Sequence, residues 1–394
     1  MVGVGSAARI TLVAGGLLTA AAVVLGTSGI LIGHRALIDI LPQAIGLLLV
    51  VLAWRFRRHR LAVAAILLAA VDAVAGPATA PGNQLVLAVV AMAAGLDLAL
   101  LSILRNQALW RPGTALWIGV VALQMWGATV GVHRPEAAPV RAWLEHPLLP
   151  AGTLLAAGLA VLVAAAVRRG AFEAGLMWST AAIGLVLAAR SDSHATALLL
   201  TAAQLGLLVS ATEDSYRLAY HDELTGLPGR RAFREAMASL SAPFTIAMAD
   251  VDHFKRFNDR HGHDAGDQVL RMVADELGRV GGGGRAYRWG GEEFALVFPG
   301  RKLAEVREEL EEVRRAIEGR RFALRGPGRP RSRPEQPRTS TKPTRRVTVT
   351  VSFGAADAGS RRPTAEAVLR AADKALYRAK RAGRNRVVAA GDRL

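Results

Sequence analysis

The sequence predicts two joined folds: an all-α polytopic membrane bundle of about eight helices over residues 1–212, and a cytoplasmic α/β domain over residues 221–394. Three observations lead there. The 394 residues are 52% hydrophobic, and the apolar excess falls in the first half as long runs. Residues 1–212 hold 13 Arg, no Lys and 7 acids, whereas 213–394 hold 36 Lys plus Arg and 25 acids, so the net charge of +17 divides as +6 and +11. From Ala242 onward the runs give way to short strand-like and amphipathic stretches. The first half is too apolar for a soluble domain, and the second is long enough to bury a core of its own. With no cysteine in the chain, a disulfide scaffold and a Cys-ligated zinc site are excluded.

Apolar runs place spans at about 10–33, 36–54, 61–76, 84–104, 114–132, 148–167, 174–189 and 195–212. The third and seventh are short for a bilayer and need flanking residues to cross it. The first run is longer than the apolar core of a signal peptide and reads as a retained anchor. Cytoplasmic termini put Arg9, Arg55, Arg57, Arg58, Arg60, Arg105, Arg111, Arg168 and Arg169 inside, against Arg35, Arg134, Arg141 and Arg190 outside. This asymmetry is the one expected of a multi-pass protein of the inner (plasma) membrane with both termini cytoplasmic. Asp72 and Asp97 fall in neighbouring spans, where they mark either a signal or ion site or carboxylates hydrogen-bonded within the bundle. Gln43, Gln124 and Gln204 read as interhelical hydrogen-bonding residues, and Trp54, Trp110, Trp143 and Trp178 as an interfacial belt.

The last span runs into a short polar connector, residues 213–220, with helical character. Beyond it, 244–250 reads as a buried strand, 264–280 as a helix, and 285–289 and 293–298 as strands joined at Gly290 and Gly291. Residues 303–317 and 364–381 read as helices, and 346–353 as an alternating strand. Residues 320–346 hold ten Lys or Arg, one Glu and five Pro, a composition expected to form a disordered basic insertion. That segment carries +9 of the +11, so the rest of the domain is nearly neutral and no specific nucleic-acid partner is expected. Its basic residues are either solvated or drawn to the anionic face of the lipid bilayer.

Four stretches carry the chemistry: HDELTGLPGRRAF from His221, ADVDHFKRFNDRHGHDAGD from Ala249, RWGGEEF from Arg288 and ADKALYRAKRAGRNR from Ala372. Asp250 and Asp252 end a buried strand, and Glu292 and Glu293 follow a glycine turn on a neighbouring hairpin. Hard oxygen donors without His or Cys suit Mg²⁺ used with phosphate substrates, with Mn²⁺ as the alternative ion. Gly290 and Gly291 leave the backbone open to a phosphate. Lys255, Lys380 and Arg384 can neutralise a triphosphate. Asn258 and Asp267 have the donors and acceptors to read a purine edge. Phe254 is grouped with these substrate-binding residues, although core burial is the ordinary use of such a side chain.

Taken together and in order, these motifs resemble those of the GGDEF domain, the diguanylate cyclase family, over residues 213–392, with Gly290–Phe294 as the GGEEF form of the signature. The resemblance implies a palm-like fold related to nucleotide cyclases, and condensation of two GTP into cyclic di-GMP with release of two pyrophosphates. It also implies Mg²⁺ ligation by Asp250, the Val251 carbonyl and Glu292, guanine reading by Asn258 and Asp267, and phosphate binding by Lys380 and Arg384. Lys255 and the Gly290–Gly291 turn would lie against the phosphates, while Glu293 matches a second signature acid whose role stays open. A homodimer is implied, because one site holding one GTP cannot close the ring.

Three departures from the family pattern stand out, one of them the basic, Pro-rich insertion that precedes the Arg346 strand, away from the catalytic motifs in sequence. Gly229 replaces the usual Asn of the first motif, and Gly281–Gly284 stands where the family's Arg-x-x-Asp product-inhibition site would be, so feedback by that route is expected to be absent. The main alternative to an active cyclase is a catalytically silent GTP-binding or interaction module that relays a membrane signal. A transporter with a regulatory domain ranks lower, resting only on Asp72 and Asp97.

Overall fold

The computed structural model describes residues 4–28, 30, 34–75, 83–103, 146, 148–189, 193–323, 346–359 and 364–392, with a few isolated positions between 119 and 126. The chain divides into two compact units, Met1–Arg217 and Leu218–Leu394.

The first unit is helical: α1 (Val4–Ser28), α2 (Arg35–Arg55), α3 (His59–Ala75), α4 (Asn83–Ile103), α5 (Leu148–Arg168), α6 (Ala171–Ala189) and α7 (Ser193–Tyr220). Seven of the eight expected spans are thereby met by a helix. The span expected at 114–132 lies, isolated positions apart, outside the described residues. Among the described residues six helices are long and apolar enough to cross a membrane, and α3, with 17 residues, is not one of them. Leu67, Leu68, Leu98, Leu176, Ile183 and Leu200 are fully buried between helices, while Val13, Leu17, Leu47, Leu155 and Val167 are exposed. Apolar residues on the outside as well as the inside are what a helix in lipid requires.

The arginines of the 55–60 and 168–169 segments have specific work at one end of this unit. Arg60 donates to the Leu101 carbonyl and to Glu173 Oε1 (3.2 Å), and its guanidinium lies 4.6 Å over the Phe172 ring. Arg168 reaches the same Glu173 oxygen at 3.5 Å and donates to the Ile103 carbonyl. Arg58 donates to the Ala211 carbonyl of α7 at 3.0 Å. Two of these acceptors are carbonyls in the last described turn of α4. Pairing also explains why α6 begins at Ala171, earlier than the apolar run starting at 174: Glu173 is buried against two arginines, so its charge does not end the helix.

Asp72 accepts from Gln43 across α2 and α3. Asp97 is 4% exposed, and its Oδ2 has no partner among the described residues. Gln204, expected to bond between helices, has neither amide atom bonded among the described residues. Trp178 departs from the interfacial role: its indole donates to the Leu12 carbonyl and its ring lies against Gly15, so it joins α6 to α1. Only the missing side chain at Gly15 admits a ring that large, a contact invisible to a reading of span ends.

The second unit contains α8 (Arg230–Ala238), β1 (Phe244–Val251), α9 (Phe254–His261), α10 (His263–Leu277), β2 (Arg285–Gly290), β3 (Glu293–Pro299), α11 (Leu303–Gly319), β4 (Phe322–Ala323), β5 (Arg346–Val347), β6 (Val351–Asp357), α12 (Ala365–Arg381) and β7 (Val387–Ala389). Five strands form one sheet in the order β2-β3-β1-β6-β7. β1 pairs antiparallel with both β3 and β6, and β7 adds parallel to β6. All eight β1 residues are buried, as a central strand covered on both faces must be. One face packs on α10 and α11 through Val269, Val273, Leu277, Val306 and Leu310. The other packs on α8 and α12 through Phe233, Met237, Val368, Ala372 and Leu376. α12 lies so close to β6 that a Cβ at Gly354 would stand 1.9 Å from the Leu376 amide nitrogen.

The strand expected over 346–353 is divided. Residues 346–347 pair with β4, and the chain re-enters the main sheet only at Val351. The expected insertion correspondingly starts later than 320: residues 320–323 and 346 belong to ordered structure, and 324–345 lie outside the described residues.

Glu173→Ala should strip Arg60 of its buried partner and lower the stability of the full chain by about 3–5 kcal/mol. Thermal unfolding in detergent reads this out. An unchanged midpoint would mean that Arg60 is held by the Leu101 carbonyl alone.

Candidate active site

The end of β1 gathers the acids. Asp250 is its seventh residue, 4% exposed, and sits opposite Glu293 of β3 and Ser352 of β6. The β2–β3 turn brings Glu292 alongside, with its carbonyl accepting from the Val251 amide at 3.3 Å. From the last turn of α12, Lys380 Nζ reaches Asp250 Oδ2 at 2.8 Å. Burial pushes the Asp250 carboxyl up; Lys380 pulls it back, and Glu293 and Asp252 push it up again, so the net shift is upward. Burial, then the nearby Asp250, raises Glu292 as well. More negative charge is thus drawn out of water here than one lysine relieves.

That arrangement fits a hard divalent cation. Asp250 and Glu292 offer carboxylate oxygens, and Val251 offers a carbonyl beside them, the donor types that Mg²⁺ and Mn²⁺ favour. Among the described residues no three His, Asp or Glu converge as a ready-made metal site, so a cation held here needs that carbonyl and substrate oxygens to complete its shell.

Gly290 and Gly291 do not adopt left-handed backbone, and a Cβ on Gly291 would meet nothing within 4 Å. No contact within the protein demands glycine at 291, which leaves an open approach to the turn. Arg288 holds this turn from behind: Nη2 donates to the Gly291 carbonyl and Nη1 to Asp222 Oδ1, both at 2.7 Å. Asp222 also accepts from the Thr225 amide and hydroxyl. Burial alone would raise the Asp222 carboxyl, but the Thr225 and Arg288 hydrogen bonds outweigh it and hold the group low. Asp222 and Arg288 both lie in the quoted motifs, yet sequence reading assigned neither of them a role. Their spacing of 66 residues gives no local signal that they meet.

A second cluster lies on α9 and α10. Asn258 Oδ1 is buried without a partner among the described residues, and a Cβ on Gly266 would fall 1.9 Å from it. Gly266 is therefore the residue that admits the Asn258 amide against α10, immediately before the half-buried Asp267. A buried acceptor with no donor suits a ligand that brings its own N–H groups, as a purine edge does. Lys255 is exposed in the first turn of α9.

Phe254 is a correction. Its ring is 6% exposed, belongs to the core beneath the sheet and contacts Gly266, so it packs rather than facing a substrate. Asp252 is also spoken for: it is buried and bonded to Thr350, Ser352 and the Asn385 amide, leaving Asp250 as the acid at this strand end that points to the turn and Lys380. Arg384 sits just past α12 in left-handed backbone, φ 63°.

An antiparallel-centred sheet with acids at the end of its middle strand, a glycine turn beside them and a lysine opposite defines a nucleotide-cyclase-like α/β domain. Residues 219–386 match the family model for the diguanylate cyclase GGDEF domain, and this part of the chain is a GGDEF domain. The chain is 38% identical over 177 residues to diguanylate cyclase DgcP of Pseudomonas aeruginosa, covering 43% of this chain and 24% of that protein. It is 37% identical over 174 residues to diguanylate cyclase VdcA of Vibrio cholerae, covering 43% and 47%. The response regulator PleD of Caulobacter vibrioides is 34% identical over 179 residues, covering 43% and 36%. The chain therefore spans less than half the length of each of these curated relatives. The solved GGDEF domain of DgcB from Caulobacter crescentus, in complex with c-di-GMP, is 37% identical and is covered over 97% of its length, against 44% of this chain, with a TM-score of 0.38.

The raised acids set a stability prediction. A carboxyl raised in the folded state contributes stability below its ordinary pKa, and that contribution is lost as pH rises through the folded value. Near neutral pH the metal-free fold therefore carries Glu292 at a cost, and Glu292→Gln should raise its melting temperature there, with the gain shrinking as pH falls below the ordinary carboxylate range. Melting curves with EDTA across that range check the sign. A lower midpoint for Glu292→Gln at neutral pH would refute the electrostatic account of this corner.

Proposed function

We propose that the chain is a membrane-bound diguanylate cyclase that condenses two GTP into cyclic di-GMP and two pyrophosphates, under control of the helical bundle. The convergence of Asp250, Glu292 and Lys380 at the end of β1 carries this reading. The unpartnered Asn258 acceptor beside Asp267 supports it at the base end.

In this reading the guanine edge donates to Asn258 and Asp267, which places the triphosphate toward the glycine turn. Gly290 and Gly291 let the phosphates approach the backbone, and Lys380, Arg384 and Lys255 balance their charge. Mg²⁺ or Mn²⁺ held by Asp250, Glu292 and the Val251 carbonyl would polarise the α-phosphate and make the attacking 3′-hydroxyl more acidic. Lys380, which pairs with Asp250 in the free protein, is then released to the phosphates. The 3′-oxygen of one GTP bonds to the α-phosphorus of the other as the bond to pyrophosphate breaks, and the reciprocal attack closes the ring. Two domains must face each other for both attacks, so the working unit is a homodimer. The acids that silent relatives are expected to lose are all present, which favours the enzyme over a relay module.

Placement in the plasma membrane with both termini cytoplasmic belongs to the same proposal, supported by six membrane-length helices and the arginine asymmetry. Control follows from α7, a single helix from Ser193 to Tyr220 that runs without interruption into the first motif at His221. A shift of the bundle alters which arrangement of the two domains is populated.

Two outcomes are expected. The full chain in lipid nanodiscs should convert GTP and Mg²⁺ to cyclic di-GMP, with Glu292→Gln reducing product by at least about a thousandfold while leaving the fold intact; retained turnover by that variant would remove the metal assignment. A flexible Gly-Ser insert within residues 213–220 should leave wild-type folding but abolish any response of turnover to changes in the bundle such as Glu173→Gln. An unchanged response would remove α7 as the coupling element.

A further inference from the structure

The turn that carries Arg384 is made of three consecutive left-handed residues, Gly383 (φ 105°), Arg384 (φ 63°) and Asn385 (φ 46°). Glycine adopts that region freely and asparagine tolerates it, but arginine costs about 1–2 kcal/mol there. Something must hold the turn.

The structure supplies a clamp on each side. Inward, the Asn385 amide donates to Asp252 Oδ2 and to Ser352 Oγ, both at 3.1 Å. Asp252 is buried, and its two oxygens also accept from the Thr350 and Ser352 hydroxyls, each at 2.7 Å. Outward, the Asn385 side chain is held by α11 at both ends. Its Oδ1 accepts from Arg314 Nη1 and its Nδ2 donates to Glu318 Oε1, both at 2.7 Å. Arg314 is in turn fixed by Glu311 and Glu318.

Asp252 stands two residues beyond Asp250, so the chain leaving β1 serves both ends of the phosphate site. Asp250 meets Lys380, and Asp252 fixes the turn that presents Arg384. Resting on the GTP-binding part of the proposed function, we propose that Asp252 and Asn385 are positioning residues, which hold Arg384 and the end of α12 against the triphosphate and anchor them to α11 through Arg314 and Glu318. Neither needs to touch substrate. Their effect on GTP passes through Arg384.

Asn385→Gly separates this role from folding. Glycine keeps the left-handed backbone and the amide bonded to Asp252, and removes only the two side-chain bonds to α11. In the full chain in nanodiscs, the variant should raise the KM for GTP on the order of tenfold with a much smaller change in kcat. Arg384→Ala should also weaken GTP binding, and the double variant Arg384→Ala/Asn385→Gly should be little worse than Arg384→Ala alone, because the clamp has nothing left to position. An unchanged KM for Asn385→Gly, or losses that multiply in the double variant, would overturn the proposal. Ser352→Ala probes the inner clamp independently and should show the same dependence on Arg384, so a folding defect in one variant leaves the other to decide.

Binding of a fluorescent GTP analogue separates this inference from the cyclase reading. If the wild type binds the analogue but makes no cyclic di-GMP, the cyclase reading fails, and weaker binding by Asn385→Gly still upholds the clamp. A wild type that does not bind the analogue sinks both.

Discussion

At the end of β1, Asp250 is taken out of water with Glu292 and Glu293 close by and, among the described residues, Lys380 alone to meet the charge. Such a corner is expensive for the folded protein and useful for chemistry, because a divalent cation and a triphosphate can supply and spread the balancing charge. Much of the α/β unit can be understood as support for it. β1 is buried along its whole length, so its end is rigid. β3 and β6 bracket Asp250 in register. The close seat of α12 on β6, possible only over Gly354, brings Lys380 within reach.

The loops around that corner are braced by charges from distant parts of the chain. Asp222 and Arg288 tie the glycine turn to the first motif, while Asp252 and Asn385 tie the Arg384 turn to the end of the same strand and to α11. Both braces use charged or amide groups that are mostly or partly shielded from water, where a hydrogen bond costs more to lose than at the surface. The helical unit uses the same device for another purpose. Arg58, Arg60 and Arg168 bind backbone carbonyls of α4 and α7 and the buried Glu173, which gathers α3 through α7 at one end of the bundle.

Much of the fold was legible because it depends on local pattern. The apolar runs marked seven helices, five of them to within about three residues, while α1 lies about five residues earlier than its run and α7 continues through the connector to Tyr220; the spacing of Val269, Leu270, Val273 and Leu277 marked α10. The single strand expected at 346–353 is broken at 348–350, and which strands its two parts pair with was not written in the pattern. β5 turns to β4, and β6 to β1. The short α9 and the three-residue β7 carry too few residues for a periodic signal, and the structure supplies both. Phe254 was grouped with the substrate-binding residues, yet it turns inward while Lys255 beside it is exposed; one step along a helix turns the side chain by about 100°, enough to send one inward and leave the other in solvent.

By itself, the sequence determined the division into an apolar helical half and an α/β half, the residues capable of metal and phosphate chemistry, and the resemblance to a cyclase domain. These depend on composition, on periodicity and on residue type at short spacing, all of which are written along the chain. Only the tertiary structure decided which acid faces Lys380 and which is consumed by the Asn385 turn, which glycine makes room for Asn258, and which arginine braces the signature. Those outcomes depend on contacts between residues as many as 133 positions apart, such as Asp252 and Asn385. Folding decides them by the packing of the sheet against its helices, and no local property of either partner records the meeting.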